Sequence, residues 1–196
     1  MAGRLVILAG PSSVGTSSVV DTFRHREAAE GRHWHPVEID DVLARLPARW
    51  VDVGWPGGPG ELADQGLSIV DRDGRRELCV GPLLRALLRG YQAGAVAMAD
   101  EGVDVIVDDV LLDQEHLDGW RRALLGRDAV WVEVRCDPDE IDRREESRGD
   151  RPLGLARAQR STVVDGVRFD LVLDTTTTAP VANAEVLSRW LAPGTA

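Results

Sequence analysis

Gly10-Pro11-Ser12-Ser13-Val14-Gly15-Thr16-Ser17 is a small, polar stretch with glycines at its first and sixth positions, and Ser18 extends its hydroxyl run. Glycines at that spacing let the backbone curl until successive N–H groups point inward. A helix starting behind them adds partial positive charge, so the loop is an anion cradle. The spacing is that of G-x-x-x-x-G-K-[ST], whose backbone holds nucleotide phosphates and whose last hydroxyl reaches Mg²⁺, the place of Ser17 here. One member differs. Thr16 stands where the lysine would, so the cation that reaches the β- and γ-phosphates is missing.

Carboxylates and arginines supply further parts of a phosphoryl-transfer set. Asp40-Asp41 follows a stretch that reads as the approach to a second strand, His33 to Ile39, and precedes Val42-Leu43-Ala44-Arg45-Leu46. One of the pair is expected to cap that helix, leaving the other at a strand's C-terminal end, where open α/β sheets bind ligands. Asp108-Asp109 ends the apolar run Val103–Val107, and an aspartate so placed after a phosphate loop holds Mg²⁺ directly or through water. The segment from Arg143 to Pro152 is the densest in arginine, with Arg148 and Arg151 flanking Gly149-Asp150. Arginines around such a turn suit a lid closing bidentately on phosphates. The alternative is a solvated helix with pairs such as Glu140 to Arg144.

These groups need a scaffold that brings strand ends together. Leu5–Ala9 reads as the strand before the loop, with a helix from Ser17 to about Arg26. Residues 47–66 carry Pro47, Pro56, Gly57, Gly58, Pro59 and Gly60 with Trp50 and Trp55. They read as a loop over the site whose tryptophans either line an acceptor pocket or patch the core. Trp34, between His33 and His35, is placed near the same pocket. A hairpin is expected around Asp73-Gly74, then a helix from Gly81-Pro82 to about Glu101 with its leucine stripe in the core. A helix over 113–125, a strand over 129–135, a helix to about Ser147, one over 155–164, a strand over 169–173 and a helix over 181–191 complete the chain. Alternating strands and helices with no internal repeat predict one α/β domain over 1–196: a parallel sheet with helices on both faces and a small hairpin insertion.

Composition narrows the function. The 196 residues are 43% hydrophobic, enough for a full core, and the net charge of −10 argues against nucleic-acid or membrane-surface binding. No run is long enough to span a membrane, Met1-Ala2-Gly3-Arg4 leads straight into a strand, and Cys79 and Cys136 are too few for a disulfide framework. The expected location is cytoplasmic. All 23 basic residues counted are arginine, and lysine is absent. The four histidines form no metal-ligand pattern, and Cys136 reads as a buried, inert thiol.

The order of motifs resembles the chloramphenicol phosphotransferases, relatives of the shikimate and nucleoside monophosphate kinases. The resemblance is carried by Ile39-Asp40, Val80-Gly81-Pro82, Val96-Ala97-Met98-Ala99, Ile106-Val107-Asp108-Asp109-Val110, Val134-Arg135-Cys136-Asp137, Arg144-Glu145, Arg148-Gly149-Asp150-Arg151 and Asp174-Thr175-Thr176. It implies a P-loop NTPase fold and transfer of the ATP γ-phosphoryl to a hydroxyl of a small, antibiotic-like acceptor. By position, Asp40 would orient or accept the acceptor's proton and Gly10 to Ser18 would hold the phosphates. Ser17 with Asp108 or Asp109 would hold Mg²⁺, Arg144, Arg148 and Arg151 the transferring group, and Asp41, Trp34 and Trp55 would face the acceptor. The chain departs from the family's pattern at Thr16 and in the segment 50–60. Thr16 keeps two other readings open: a binding protein that holds nucleotide or antibiotic without turnover, and an enzyme that uses the anion cradle on an already phosphorylated substrate.

Overall fold

Leu5–Ala9 is buried along its whole length, as a strand covered by helices on both faces must be. The computed structural model describes residues 2–53, 60–73, 75–148, 156, 159 and 166–192. In chain order the elements begin with strand β1 (Leu5–Ala9), helix α1 (Thr16–Ala29), strand β2 (His35–Glu38) and helix α2 (Ile39–Leu43). Strands β3 (Val51–Asp52), β4 (Leu67–Arg72) and β5 (Arg75–Val80) follow, then helix α3 (Pro82–Asp100). Strand β6 (Val105–Asp109), helix α4 (Gln114–Ala123), strand β7 (Val130–Arg135) and helix α5 (Pro138–Arg148) come next. Strand β8 (Leu171–Asp174) and helix α6 (Pro180–Trp190) close the fold.

Five strands form one parallel sheet in the order β2-β6-β1-β7-β8. Their C-terminal ends therefore share one edge, and that edge carries the phosphate loop and both aspartate pairs. Side chains alternate across β1. Val6 and Leu8 pack with Phe23, Leu187 and the rest of the α1–α6 face, whereas Leu5 and Ile7 pack with Ala95 and Trp120 on the α3–α4 face. A smaller sheet, β3-β4-β5, sits beside it, and its Leu67 and Leu78 join Ile39, Leu84 and Leu88 in a third cluster.

Four expectations are adjusted. Helix α2 starts at Ile39, so Asp40 and Asp41 both lie in its first turn; the N-cap is Glu38, with no side-chain cap bond. Neither aspartate is a cap. Strand β6 runs on through Asp108 and Asp109, which pair in register with Leu8 and Ala9. The α3 stripe is only partly core: Leu84, Leu88 and Ala95 are buried, but Leu87 faces out toward α2. Residues 47–66 contain short 3-10 helices at Ala48–Trp50 and Ala63–Gln65, while Trp55 lies outside the described residues. Among the described residues no helix is long and apolar enough to cross a membrane.

Candidate active site

The loop after β1 owes its curl to two left-handed residues, Ser13 (φ 63°) and Gly15 (φ 102°). Alternation of right- and left-handed conformations turns consecutive amides to one side and builds an anion nest at the start of α1. Gly10 is needed for a different reason: a Cβ there would stand 2.5 Å from the Val134 carbonyl oxygen. The loop is also tied to its surroundings. The Val14 carbonyl accepts from the Thr175 hydroxyl at 2.5 Å and from Arg144 Nη1 at 3.1 Å. Arg144 in turn donates to the Thr175 carbonyl at 2.6 Å and to Glu140 at 2.8 Å. On the other flank the Ser12 amide donates to Gln159 Oε1 at 2.6 Å, and the Gly10 amide to the Asp109 carbonyl at 3.3 Å.

A cleft of about 270 Å³ opens over this loop, walled by Ser12, Ser13, Gly15 to Ser18, Asp40, Asp108, Arg144 and Thr175. At its floor the Ser17 hydroxyl donates to Asp108 Oδ2 at 2.7 Å. Burial pushes the Asp108 carboxyl up to about 7; the neighbouring Asp40, Glu38 and Asp109 charges add to this, while the Ser17 bond opposes it. Glu38 is raised as well, chiefly by burial and then by Asp21, Asp41 and Asp40. The floor is thus starved of positive charge, the electrostatic condition that a cation relieves. Among the described residues no three His, Cys, Asp or Glu side chains form a cage for a metal. One hydroxyl and one carboxylate suit a Mg²⁺ ion that keeps several waters and takes its remaining ligands from phosphate oxygens.

The expected site residues fall into three groups. Gly10 to Ser18, Asp40, Asp108 and Arg144 are brought together at the cleft or in the loop beneath it. Arg144 does so as a strut between Val14 and Thr175, with its guanidinium 3.4 Å from where a Gly15 Cβ would be. Asp109, Asp41 and Trp34 are placed elsewhere. Asp109 is fully buried on the opposite sheet face, accepting from the Trp120 indole N–H at 2.5 Å. Asp41 is exposed and lines a separate apolar groove between α2 and α3. Trp34 is 2% exposed in the core, edge-on to Phe23 at 5.3 Å, with the Arg4 guanidinium 4.5 Å from its ring centre. It precedes β2, so about 13 Å of strand separates it from the ligand edge. Arg148 ends α5, but its side chain, like Arg151 and Trp55, lies outside the described residues. Thr175, Thr178, Pro180 and Ser147 line the cleft without having been assigned a role, although Asp174-Thr175-Thr176 at a strand end is a visible signal for the first.

Trp34→Ala is accordingly expected to cost about 3–5 kcal/mol of stability, as removal of a large core side chain does. Thermal unfolding checks this, with nucleotide affinity of the folded fraction unchanged.

Comparison with known proteins follows the same lines. The family described as chloramphenicol phosphotransferase-like protein matches residues 3–191. Relatives in two strains of Mycobacterium tuberculosis, each called "Putative O-phosphotransferase", are 31% identical over 178 residues, spanning 90% of this chain and 76% of theirs. Among solved structures, the M. tuberculosis APS kinase in complex with AMPPNP and APS superposes with a TM-score of 0.64 at 22% identity, over 97% of this chain and 98% of that one. Shikimate kinase from Acinetobacter baumannii in complex with shikimate gives 0.56 at 13% identity, over 97% and 96%. The likeness to these two enzymes is one of fold.

Proposed function

The chain belongs to the chloramphenicol phosphotransferase-like family of P-loop kinases, and on that premise we propose that it transfers the γ-phosphoryl of ATP to a hydroxyl of a small, antibiotic-like molecule. The observation that carries this reading is the Ser17–Asp108 contact of 2.7 Å on the floor of a cleft that also holds Asp40. The loop amides would receive the phosphates, and Ser17 with Asp108 would hold Mg²⁺. When bound, that ion neutralises charge on the β- and γ-oxygens.

In the reaction, the acceptor oxygen forms a bond to Pγ as the bond from Pγ to the β-bridging oxygen breaks and ADP leaves. Asp40 takes the hydroxyl proton. It is suited to this because α2 begins right at the strand end and presents its first turn to the cleft. Proton transfer by a positioned carboxylate needs hydrogen-bond reach of the hydroxyl; the rest of the catalysis is placement and charge.

A second reading is favoured by one observation. Thr16 is 6% exposed at the lysine's position, and Arg144, the basic side chain among the described lining residues, is already engaged with Val14 and Thr175. A protein that grips Mg-nucleotide without turnover fits that arrangement. Mass spectrometry of purified protein incubated with Mg-ATP and a panel of hydroxylated antibiotics, chloramphenicol first, separates the two. A phosphoester product is expected; tight Mg-ADP binding without product over the whole panel would replace the enzyme reading by the second one.

The elevated Asp108 sets a pH dependence. Only the carboxylate binds a metal, so the gain in ADP affinity conferred by Mg²⁺ should shrink about tenfold per pH unit below 7. For the metal-free fold the sign is opposite. The folded carboxyl holds its proton more tightly than the unfolded chain does, so this group's contribution to stability declines as pH rises from about 4 to about 7 and is flat above. Calorimetry of ADP binding with and without Mg²⁺ at pH 6 and pH 8 checks the first effect.

A further inference from the structure

Asp109 is an expensive residue that the proposed reaction leaves idle. It is 0% exposed, and a buried carboxylate is costly unless donors surround it. Among the described residues a single donor meets one of its oxygens. Trp120 Nε1 donates to Oδ2 at 2.5 Å and His116 Nε2 lies 3.4 Å from the same atom, while Oδ1 has no hydrogen-bond partner among the described residues. The Leu112 amide donates to His116 Nδ1 at 3.4 Å, which leaves the ring proton on Nε2, facing Asp109. A pair of apolar side chains would pack α4 on the sheet at less cost, so stability alone does not account for the cluster.

Its backbone shows what it does reach. The Asp109 carbonyl accepts the Gly10 amide, the first of the phosphate loop. Its neighbour in β6, Asp108, points to the other sheet face, where it meets Ser17. The two aspartates project from one backbone to opposite faces, so a shift of the β6 backbone at Asp109 carries Asp108 with it. Tyr91 steadies the same point: its hydroxyl donates to the Asp108 carbonyl at 3.3 Å, and its ring stands edge-on to Trp120.

We infer that Asp109 is a positioning residue for metal binding: held by the Trp120 N–H of α4, with the His116 ring beside it, it fixes the β6 backbone that keeps the Asp108 carboxylate against Ser17. This rests on the reading that Ser17 and Asp108 hold Mg²⁺. Helix α4 adds no residue to the cleft, yet it governs metal affinity through this link.

The test uses Trp120→Phe, which keeps an aromatic side chain but removes the indole N–H and some buried volume, with the isosteric Asp109→Asn as a second variant. Mn²⁺ affinity is read from the electron paramagnetic resonance of free Mn²⁺ at saturating ADP, and ADP affinity without metal by calorimetry. In both variants the Kd for Mn²⁺ should rise about 10- to 100-fold, the usual consequence of losing a partner behind a ligand. Metal-free ADP affinity should stay unchanged. Unchanged Mn²⁺ affinity in a folded Trp120→Phe protein overturns the inference. So does an equal loss of ADP affinity with and without metal, which marks a general structural defect. A wild type that binds no Mn²⁺ with ADP fails differently, taking down the Ser17–Asp108 metal reading and this inference with it.

Discussion

Asp40→Asn is expected to lower phosphoryl transfer about 10²- to 10⁴-fold, the range a positioned general base contributes, while leaving Mg-ADP affinity within about twofold. The asparagine has the same shape and stays in the first turn of α2, so the cleft is kept and the proton acceptor is lost. Removing a negative charge near Asp108 eases ionisation of that carboxyl and also takes away some attraction for the cation, two effects on metal binding that oppose each other. The measurement is kcat with a phosphorylatable acceptor alongside calorimetric ADP binding. Full activity in the variant would withdraw Asp40 from catalysis; a parallel loss of ADP affinity would make it part of the nucleotide site instead.

Thr16→Lys is the second large effect, and it runs the other way. A lysine at the start of α1 would extend over the loop into the cleft that Thr16 already borders. A charge-assisted hydrogen bond to phosphate is worth about 1.5–3 kcal/mol in binding. A donor that meets charge developing in the transition state is worth about 10²- to 10³-fold in rate. The variant should therefore bind Mg-ATP at least about tenfold more tightly and turn over about 10²- to 10³-fold faster. Arg144 is poorly placed to supply that charge in the wild type, because swinging into the cleft would release the Val14 carbonyl and the Thr175 turn. A variant no faster than wild type would mean that a cation from elsewhere, the arginines at 148 and 151 first among them, already fills the lysine's place.

The meeting of Ser17 and Asp108 was legible in the sequence because each follows an apolar run, and parallel strands bring all such ends to one edge. Which of Asp108 and Asp109 would face the loop was not. That depends on strand parity, set by the pairing of Leu8 with Asp108, and no local feature of Val-Asp-Asp-Val reveals it. Trp34 misled for a related reason. Its histidine neighbours suggested a pocket, but it enters β2 rather than leaving it, and only the leaving end carries ligand chemistry. The aspartates of α2 were read as cap candidates because that helix was placed three residues late. The roles of Thr175, Gln159 and His116 are fixed by partners far along the chain, which spacing and periodicity do not report.

The Thr175 contact bears on how the protein is made. The hydroxyl that closes the Val14 carbonyl leaves the ribosome 161 residues after Val14 itself. The sheet repeats this delay, since β1 is flanked by β6 and β7, both synthesised much later. Such non-local pairing slows folding, because distant segments must be ordered before their contacts repay the lost chain entropy. The phosphate loop is synthesised well before the segments that brace it. Nucleotide binding by a nascent chain should accordingly appear only once the turn after β8 has emerged, and would serve as a signal that synthesis has reached it.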